Sequence, residues 1–381
     1  MKRIVAVMAT VCVLLLSSFS VSAQTDAKTQ LEKTLKGVKT EFEASFNLED
    51  SDPNKAYPDM WYVYPLCATG KTADSDYQFL IPKYDNPETS NALMKSIMTD
   101  LLLRKTPNAK QVSALKEKQA ENGAFQNSYG YDSVTETAYA MIALKLADKD
   151  WNADKAIEYL KSAKKEDGGY NDYGAEGNVD TTGMVMSGLA VVGEKGELLN
   201  DAKKFILSTE KEDGSLVGTG MYDSANSCSQ SMGIIGLIAA GENMDSHSKI
   251  VENLFSYLDE NGCFWYDEDS KSGRGWYQAP DMFSTYQGMM ALADLGYGNV
   301  FMSLLPQEPT TTVPTTTIAP TTNSNNDQPT TSQSIITDNS MTSPETGAPD
   351  FPMIYVFLAI AAVVVLVAVI VITVVSKKNK K

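Results

Sequence analysis

Apolar residues in the central part of the chain recur at three- and four-residue steps, as in Ala138, Met141, Ile142 and Leu144. This spacing places apolar side chains on one face of an α-helix. Charged helices alternate with largely apolar ones, so the pattern predicts about twelve helices in six pairs. The clearest predicted helices cover residues 30–46, 58–67, 89–104, 109–120, 134–146, 181–192, 229–240 and 283–295.

A short acidic or amide-containing turn ending in glycine separates the two helices of a pair. Four copies contain Gly123, Gly168, Gly214 and Gly262, at spacings of 45, 46 and 48 residues. A period of this length is typical of repeated supersecondary units that bury their apolar faces against one another. Glycine at each turn predicts a positive φ angle or a close backbone approach.

The apolar helices share a second regularity. Leu144, Leu189, Leu237 and Leu292 mark equivalent positions, and the residue before each is Ala143, Gly188, Gly236 or Ala291. Four residues before these leucines come Ala140, Val185, Gly233 and Gly288. Glycine inside a helix costs up to about 1 kcal/mol relative to alanine, so its recurrence favours a crowded inner ring. The more charged helices would then form an outer ring, and six pairs would suffice to close it.

One repeat carries a resemblance to a known family. The segment from Lys161 to Glu166-Asp167-Gly168-Gly169-Tyr170, followed by Asp180-Thr181-Thr182-Gly183, resembles the prenyltransferase and squalene-cyclase repeat. The segment beginning Asp59-Met60-Trp61 is similar to an early helix in extracellular members. The resemblance covers most of residues 24–305 and implies an all-α fold, an α/α toroid of about six helical hairpins in two concentric layers.

The sequence does not contain the residues that carry the known activities of that family. It has no Asp-x-Asp-Asp tetrad of the kind that protonates an alkene in class II cyclases, and no Cys-Gly-Glu-Gln thioester motif. His247 is the only histidine, which disfavours both a zinc site and a His-based triad. These observations predict no cofactor, no metal and a non-catalytic protein that binds a small molecule or surface partner. The alternatives are a cyclase-like or glycan-cleaving extracytoplasmic enzyme and a structural adhesion module.

Aromatic residues collect just after the glycine turns, which a toroid would gather at one end. The predicted ligand-binding residues are Tyr170, Tyr173, Asp180, Tyr222, Gln230, Trp265, Trp276 and Tyr277. Glu136 and Gln287, near the starts of inner helices, could add polar contacts. The alternative is that the aromatic rings plug the toroid and the polar residues cap helices.

Both ends of the chain predict export and attachment. Residues 1–23 have the basic start, apolar core and small-residue end of a signal peptide. Residues 306–350 form a Thr/Pro-rich segment predicted to be a disordered stalk, and residues 351–375 are apolar and long enough to cross a membrane. The basic tail at 376–381 predicts a cytoplasmic C-terminus.

The residues Ser343, Pro344, Glu345, Thr346 and Gly347 precede the apolar segment and resemble a sortase sorting signal of Gram-positive bacteria. The family pattern begins with Leu, which Ser343 replaces here. The resemblance implies transfer to peptidoglycan after cleavage at Thr346; the alternative is a permanent single-pass anchor in the membrane. Either way the toroid would lie outside the cell.

Charge excludes one class of partner. The predicted signal peptide and the last 31 residues hold six basic and no acidic residues, which leaves 26 basic and 48 acidic residues in between. The resulting net charge of −22 disfavours nucleic acid, because binding to phosphates requires cationic side chains.

Overall fold

The computed structural model describes residues 23–52, 55–218, 223–275 and 277–306. Thirteen α-helices lie in these residues, with short 3-10 helices at Ser75–Leu80 and Met244–His247. The α-helices are α1 (Ala23–Phe46), α2 (Met60–Thr69), α3 (Ser90–Leu102), α4 (Ala109–Glu117), α5 (Val134–Ala147), α6 (Asp154–Ala163), α7 (Val179–Val191), α8 (Glu197–Ser208), α9 (Ser227–Ala239), α10 (Ser248–Ser256), α11 (Glu268–Lys271), α12 (Met282–Tyr297) and α13 (Val300–Ser303). Strands β1 (Phe125–Gln126) and β2 (Asp132–Ser133) pair antiparallel ahead of α5.

Six helices form a closed inner ring. Helices α2, α3, α5, α7, α9 and α12 each contact the next in this order, and α12 returns to contact α2. Helices α4, α6, α8 and α10 pack against the outside of this ring, and α1 packs against α12. The predicted all-α toroid with two concentric layers is therefore confirmed.

An equivalent hydrogen bond in each repeat joins the glycine turn to the inner helix that follows it. The backbone N–H two residues after the turn glycine donates to a side chain in the first turn of that helix. The pairs are Phe125 with Thr137 Oγ1 at 2.9 Å, Tyr170 with Thr182 Oγ1 at 2.9 Å, Leu216 with Gln230 Oε1 at 2.8 Å and Phe264 with Thr285 Oγ1 at 3.0 Å. Since these donors are buried, losing the acceptor would leave an unpaired N–H in the core.

The turn glycines also bring neighbouring hairpins together. All four have φ between 83° and 91°, a region that side chains with a Cβ disfavour. A Cβ on Gly123 or Gly214 would overlap the backbone of the next outer helix at Lys155 or Lys249. Glycine is therefore required at these turns both for its backbone conformation and for the close approach.

Helix α1 packs against the last repeat in the position that an outer helix occupies in the other repeats. This contact closes the ring. A Cβ on Gly262 would lie 3.0 Å from the Thr34 backbone nitrogen in α1. Asn261 Nδ2 donates to Glu41 Oε1 at 3.0 Å, and Gln24 Nε2 donates to the Gly296 carbonyl at 3.1 Å. The first and last parts of the described chain thus meet along one seam.

Helix α13 closes the end of the ring at which the inner helices finish. It contacts α2 and α7, which lie on opposite sides of the ring, and also α12. Phe301 packs edge-on against Tyr64 with ring centroids 4.7 Å apart, and the Tyr64 hydroxyl donates to Asp294 Oδ1 at 2.7 Å. Because α13 covers this end, access to the middle of the ring is from the end where the inner helices begin.

The predicted stalk, apart from Pro306, lies outside the described residues, as do the apolar segment and the basic tail. The sorting signal and all of the predicted signal peptide except Ala23 also lie outside them. None of the helices in the described residues combines the length and apolarity needed to cross a membrane. The predictions for the two ends of the chain stay predictions.

Candidate functional site

A cavity of about 180 Å³ lies at the centre of the inner ring. All six inner helices contribute to its wall, which places the cavity on the axis of the toroid. The wall consists of Trp61, Asn91, Met94, Lys95, Thr135, Tyr139, Met184, Met232, Phe283, Tyr286, Gln287 and Met290.

Four aromatic rings surround much of this space. Trp61 and Tyr139 lie with ring centroids 4.6 Å apart, and Phe283 and Tyr286 lie 5.2 Å apart with their planes nearly perpendicular. Aromatic faces carry partial negative charge and attract cations as well as apolar groups. The wall can therefore bind a hydrocarbon and can also stabilise positive charge.

Methionine supplies most of the remaining apolar surface. Met94, Met184, Met232 and Met290 come from four different helices. Methionine side chains are unbranched and polarisable, and they adapt to ligands of irregular shape. The cavity is therefore suited to a small flexible molecule.

The cavity has few polar groups at or near its wall, and only some of them have a hydrogen-bond or ion-pair partner. Lys95 Nζ lies 2.6 Å from Asp59 Oδ2, so the cation in the wall already has a carboxylate partner. Asn91 Nδ2 donates to Glu136 Oε1 at 2.9 Å, whereas Glu136 Oε2 has no hydrogen-bond partner. Gln287 Oε1 is also without one, although the side chain lines the cavity. Both unpartnered atoms, Glu136 Oε2 and Gln287 Oε1, are hydrogen-bond acceptors.

Carboxyl groups cluster where the inner helices begin. Burial raises the pKa of Glu136 in α5, Asp180 in α7 and Asp281 at the start of α12. Asp180 Oδ2 accepts a hydrogen bond from Ser229 Oγ at 2.7 Å, which opposes that rise only in part. The pKa of each acid is thus shifted upward by burial, and at Glu136 burial outweighs the opposing effects of Asn91 and Lys95.

The charges of these acids act on the cavity wall. Burial is the main reason that the pKa of Tyr139 lies well above its usual value, followed by Tyr286, Asp180, Glu136 and Asp59. Burial also raises the pKa of Tyr286; a hydrogen bond with Gln287 opposes this rise, and the charges of Asp59 and Asp281 add to it. Four carboxyl groups therefore lie within electrostatic range of the two cavity tyrosines.

Repeat equivalence explains the position of Asp180. The residues nine positions before the aligned leucines are Thr135, Asp180, Cys228 and Phe283, and two of them, Thr135 and Phe283, line the cavity. Asp180 occupies the corresponding position of α7 and is half-buried. Asp180 itself is not among the residues that line the cavity, and ligand contact by Asp180 stays a prediction.

Two other predicted site residues have structural roles. Gln230 is buried, accepts from Leu216 N, and donates through Nε2 to the carbonyls of Gly214 and Ile250 at 3.0 and 2.7 Å. Tyr170 is fully buried in the core. Asn178, rather than Asp180, caps α7. Gln230 therefore ties the turn and the next outer helix to α9 rather than capping a helix, Tyr170 is a core residue, and neither lines the central cavity.

Three more predicted residues, Tyr173, Trp265 and Tyr277, lie in the loops before the inner helices. Tyr173 is 74% exposed, and Tyr277 is 43% exposed with its ring 5.5 Å from that of Tyr266. Trp265 is half-buried, and its backbone N–H donates to the Tyr257 carbonyl at 2.9 Å. Tyr222 and Trp276 lie outside the described residues. Ligand contact by these five residues stays a prediction.

Sequence reasoning missed most of the cavity wall, although a signal was present. The residues five positions before the aligned leucines are Tyr139, Met184, Met232 and Gln287, and all four line the cavity. This register position is the one that faces the axis. Of these four, only Gln287 was predicted as a polar contact.

Metal binding has no structural support in the described part of the chain. No group of three or more His, Cys, Asp and Glu side chains there is arranged to hold a metal ion.

Known proteins share this architecture. Residues 90–225 match the prenyltransferase α/α toroid domain family. The chain has the toroid fold of that family. No curated protein matches the sequence at a significant level.

Solved structures extend the likeness to nearly the whole described region. A type II terpene cyclase from Scytonema, in complex with geranylgeranyl dihydroxybenzoate, aligns with a TM-score of 0.51 at 11% identity over 74% of this chain and 99% of its own. The Candida albicans protein geranylgeranyltransferase-I, complexed with GGPP, aligns with a TM-score of 0.51 at 14% identity over 71% and 92%. A protein from Actinoplanes gives 0.51 at 11% identity over 72% and 99%. At these identities the likeness concerns the fold.

Proposed function

We propose that the central cavity binds a small, largely apolar molecule of isoprenoid type, and that the chain acts on it as a terpene-cyclase-like enzyme. The observation that carries this proposal is the axial cavity itself, walled by four aromatic rings and four methionines and closed at one end by α13. The toroid fold supports the cyclase-like alternative from the sequence over the non-catalytic binder.

Asp180 is the candidate proton donor. Its carboxyl group has a raised pKa, its side-chain hydrogen-bond partner is the Ser229 hydroxyl, and its charge acts on Tyr139 in the cavity wall. Because burial raises its pKa, this carboxylic acid is better able to hold a proton and to transfer it to a carbon–carbon double bond. The carbocation formed would be stabilised by the aromatic faces, and loss of a proton after ring closure would complete the reaction.

Product analysis tests the catalytic part of this proposal. The purified protein is incubated with isoprenoid alkenes, and the products are separated by gas chromatography and identified by mass spectrometry. Asp180→Asn should abolish conversion while ligand binding persists, because the amide preserves the shape but has no acidic proton. Asp154→Asn is the matched control, since Asp154 is an exposed first-turn acid on the outer helix α6.

The second candidate is the non-catalytic binding protein predicted from the sequence. It is favoured by the absence of an Asp-x-Asp-Asp tetrad and by the predicted export and anchor segments. Saturable binding of an isoprenoid without any product, in both the wild-type protein and the Asp180→Asn variant, would support this candidate and contradict the enzyme.

We further propose that the toroid is displayed on the outer face of a Gram-positive cell, anchored through the segment at 351–375 or transferred to peptidoglycan. Mass analysis of cell-wall digests distinguishes the two routes. A wall-linked protein ending at Thr346 supports sorting, whereas recovery of membrane-bound protein with Lys381 intact supports a permanent anchor.

A further inference from the structure

We infer that the ligand of the central cavity carries a protonated amine head group, and that a diphosphate head group is excluded. The inference rests on the proposed binding function of the same cavity and specifies the substrate class. It follows from unpartnered acceptors, an excess of carboxyl groups and a cage of aromatic rings, all at one cavity.

The unpartnered acceptors require a hydrogen-bond donor. Glu136 is 8% exposed and its Oε2 atom has no partner, while Gln287 is 5% exposed and its Oε1 atom has none. A buried acceptor without a donor costs free energy, and a ligand hydroxyl or ammonium group would remove that cost. Gln287 lines the cavity, and Glu136 is hydrogen-bonded to Asn91, which also lines it. A phosphate oxygen, by contrast, would bring another acceptor.

The charges near the cavity favour a cation over an anion. Among the described residues that line the cavity, Lys95 is the only cationic one, and Asp59 neutralises it at 2.6 Å. Glu136, Asp180 and Asp281 are left without an ion pair among the described residues. A diphosphate would meet these carboxyl groups with no free cation to bind it, whereas an ammonium group would provide the missing partner.

The aromatic cage accommodates the same charge. Trp61, Tyr139, Phe283 and Tyr286 present their rings to one cavity, and organic ammonium ions bind well inside such cages. The protein already places one ammonium group nearby, since Lys95 Nζ lies 5.9 Å from the Trp61 ring centroid. An apolar tail would extend past these rings toward the methionines.

The affinity for an amine should rise with pH. Burial raises the pKa of Glu136 in the empty cavity, and a bound cation beside its unpartnered oxygen would favour the charged form. Amine binding should therefore release protons and strengthen from pH 5 to pH 7, within the range where the amine stays protonated. The other charged groups near Glu136 are Lys95, which is paired with Asp59, and Asp172.

Three ligands that share one hydrocarbon chain and differ in head group test the inference. Geranylamine, geraniol and geranyl diphosphate share a ten-carbon chain and differ only in head group. Binding to the full-length protein is measured by isothermal titration calorimetry at constant ionic strength. We expect geranylamine to bind about tenfold more tightly than geraniol, as a charge-assisted hydrogen bond allows, with geranyl diphosphate weakest.

A pair of variants assigns the effect to the cavity. Glu136→Gln removes one carboxylate and keeps an acceptor for Asn91, so the preference for amine over alcohol should fall by about tenfold while geraniol binding is retained. Glu197→Gln is the matched control, because Glu197 is an exposed first-turn glutamate on the outer helix α8. Thermal unfolding of each variant verifies that the fold is intact.

The outcomes separate the inference from the function on which it rests. Equal affinity for geranylamine and geraniol, or tighter binding of geranyl diphosphate, overturns the inference and leaves a ligand-binding cavity. A preference for the amine that survives Glu136→Gln, or that Glu197→Gln reduces equally, also overturns it. If none of the three ligands binds, the proposed function itself fails.

Discussion

Replacement of Gly37 by alanine tests the closure of the ring. Gly37 lies in the interior of α1, on the face that packs against the last repeat. A Cβ at this position would overlap the Asn261 carbonyl oxygen and lie 3.1 Å from Cys263 Sγ. The contact joins parts of the chain that are more than 220 residues apart, so it exists only if the toroid closes.

Two opposing effects determine the sign of the change. In an isolated or open helix, Gly37→Ala should stabilise by up to about 1 kcal/mol, because alanine is the better helix former. In the closed ring the added methyl group meets a backbone atom that cannot rotate away, and such overpacking costs about 1 to 3 kcal/mol. We expect the second effect to dominate, with a net loss of about 2 kcal/mol and a fall in melting temperature of about 5 °C.

Thermal unfolding followed by circular dichroism provides the measurement. Thr40→Ala is the control, because Thr40 lies in the same helix on its exposed side and the change raises helix propensity without touching the seam. This control should leave the melting temperature unchanged or slightly higher. An equal or higher melting temperature for Gly37→Ala would refute closure of the ring through α1.

Three further predictions concern the repeat and the closed end. Gly214→Ala should destabilise the protein by at least about 1 kcal/mol more than Gly241→Ala in urea unfolding, since both glycines have a positive φ but only Gly214 abuts another helix; equal losses would contradict the close approach. Thr182→Val should cost about 1 to 3 kcal/mol in the same assay by leaving the Tyr170 N–H unpaired, and a neutral effect would remove this bond from the repeat. Burial raises the pKa of Asp294 from 3.8 to about 7, so the folded state binds more protons than the unfolded state between these values and stability should fall as pH rises through them. The loss should reach about 4 kcal/mol, and Asp294→Asn should flatten the profile; an unchanged profile would contradict the shift.

The repeat of the inner helices could be predicted from the sequence, but the direction in which each helix faces could not. The recurrence of Gly123 and its equivalents predicted the repeat, because each glycine meets a local requirement of backbone conformation. The side of each inner helix that faces the axis could not be predicted in the same way. Those helices are apolar on all sides, since they pack against two neighbours, an outer helix and the cavity, so their hydrophobic pattern has no single direction.

Some residues considered for the site could be predicted from the local sequence, whereas others depend on contacts between distant parts of the chain. Asp180 was predicted because it stands at the start of an inner helix, a position visible in the local sequence. Trp61 and Met94 were missed, since they join the cavity only after α2 and α3 take their places in the ring. Tyr170 follows a turn glycine just as Phe264 does, and both are core residues because their backbones are tied to the next inner helix.

The sequence by itself determined that the protein is built from repeated helical hairpins with glycine turns, because the helical period and the demand for positive φ act within a few residues. It also determined which helices would be apolar enough to lie inside. Only the tertiary structure decided that α1 closes the ring against the last repeat, that α13 covers one end, and that Glu136 and Gln287 are left with unpartnered oxygens beside one cavity. These features depend on contacts between residues far apart in the chain, and such contacts leave no periodic signal in a single sequence.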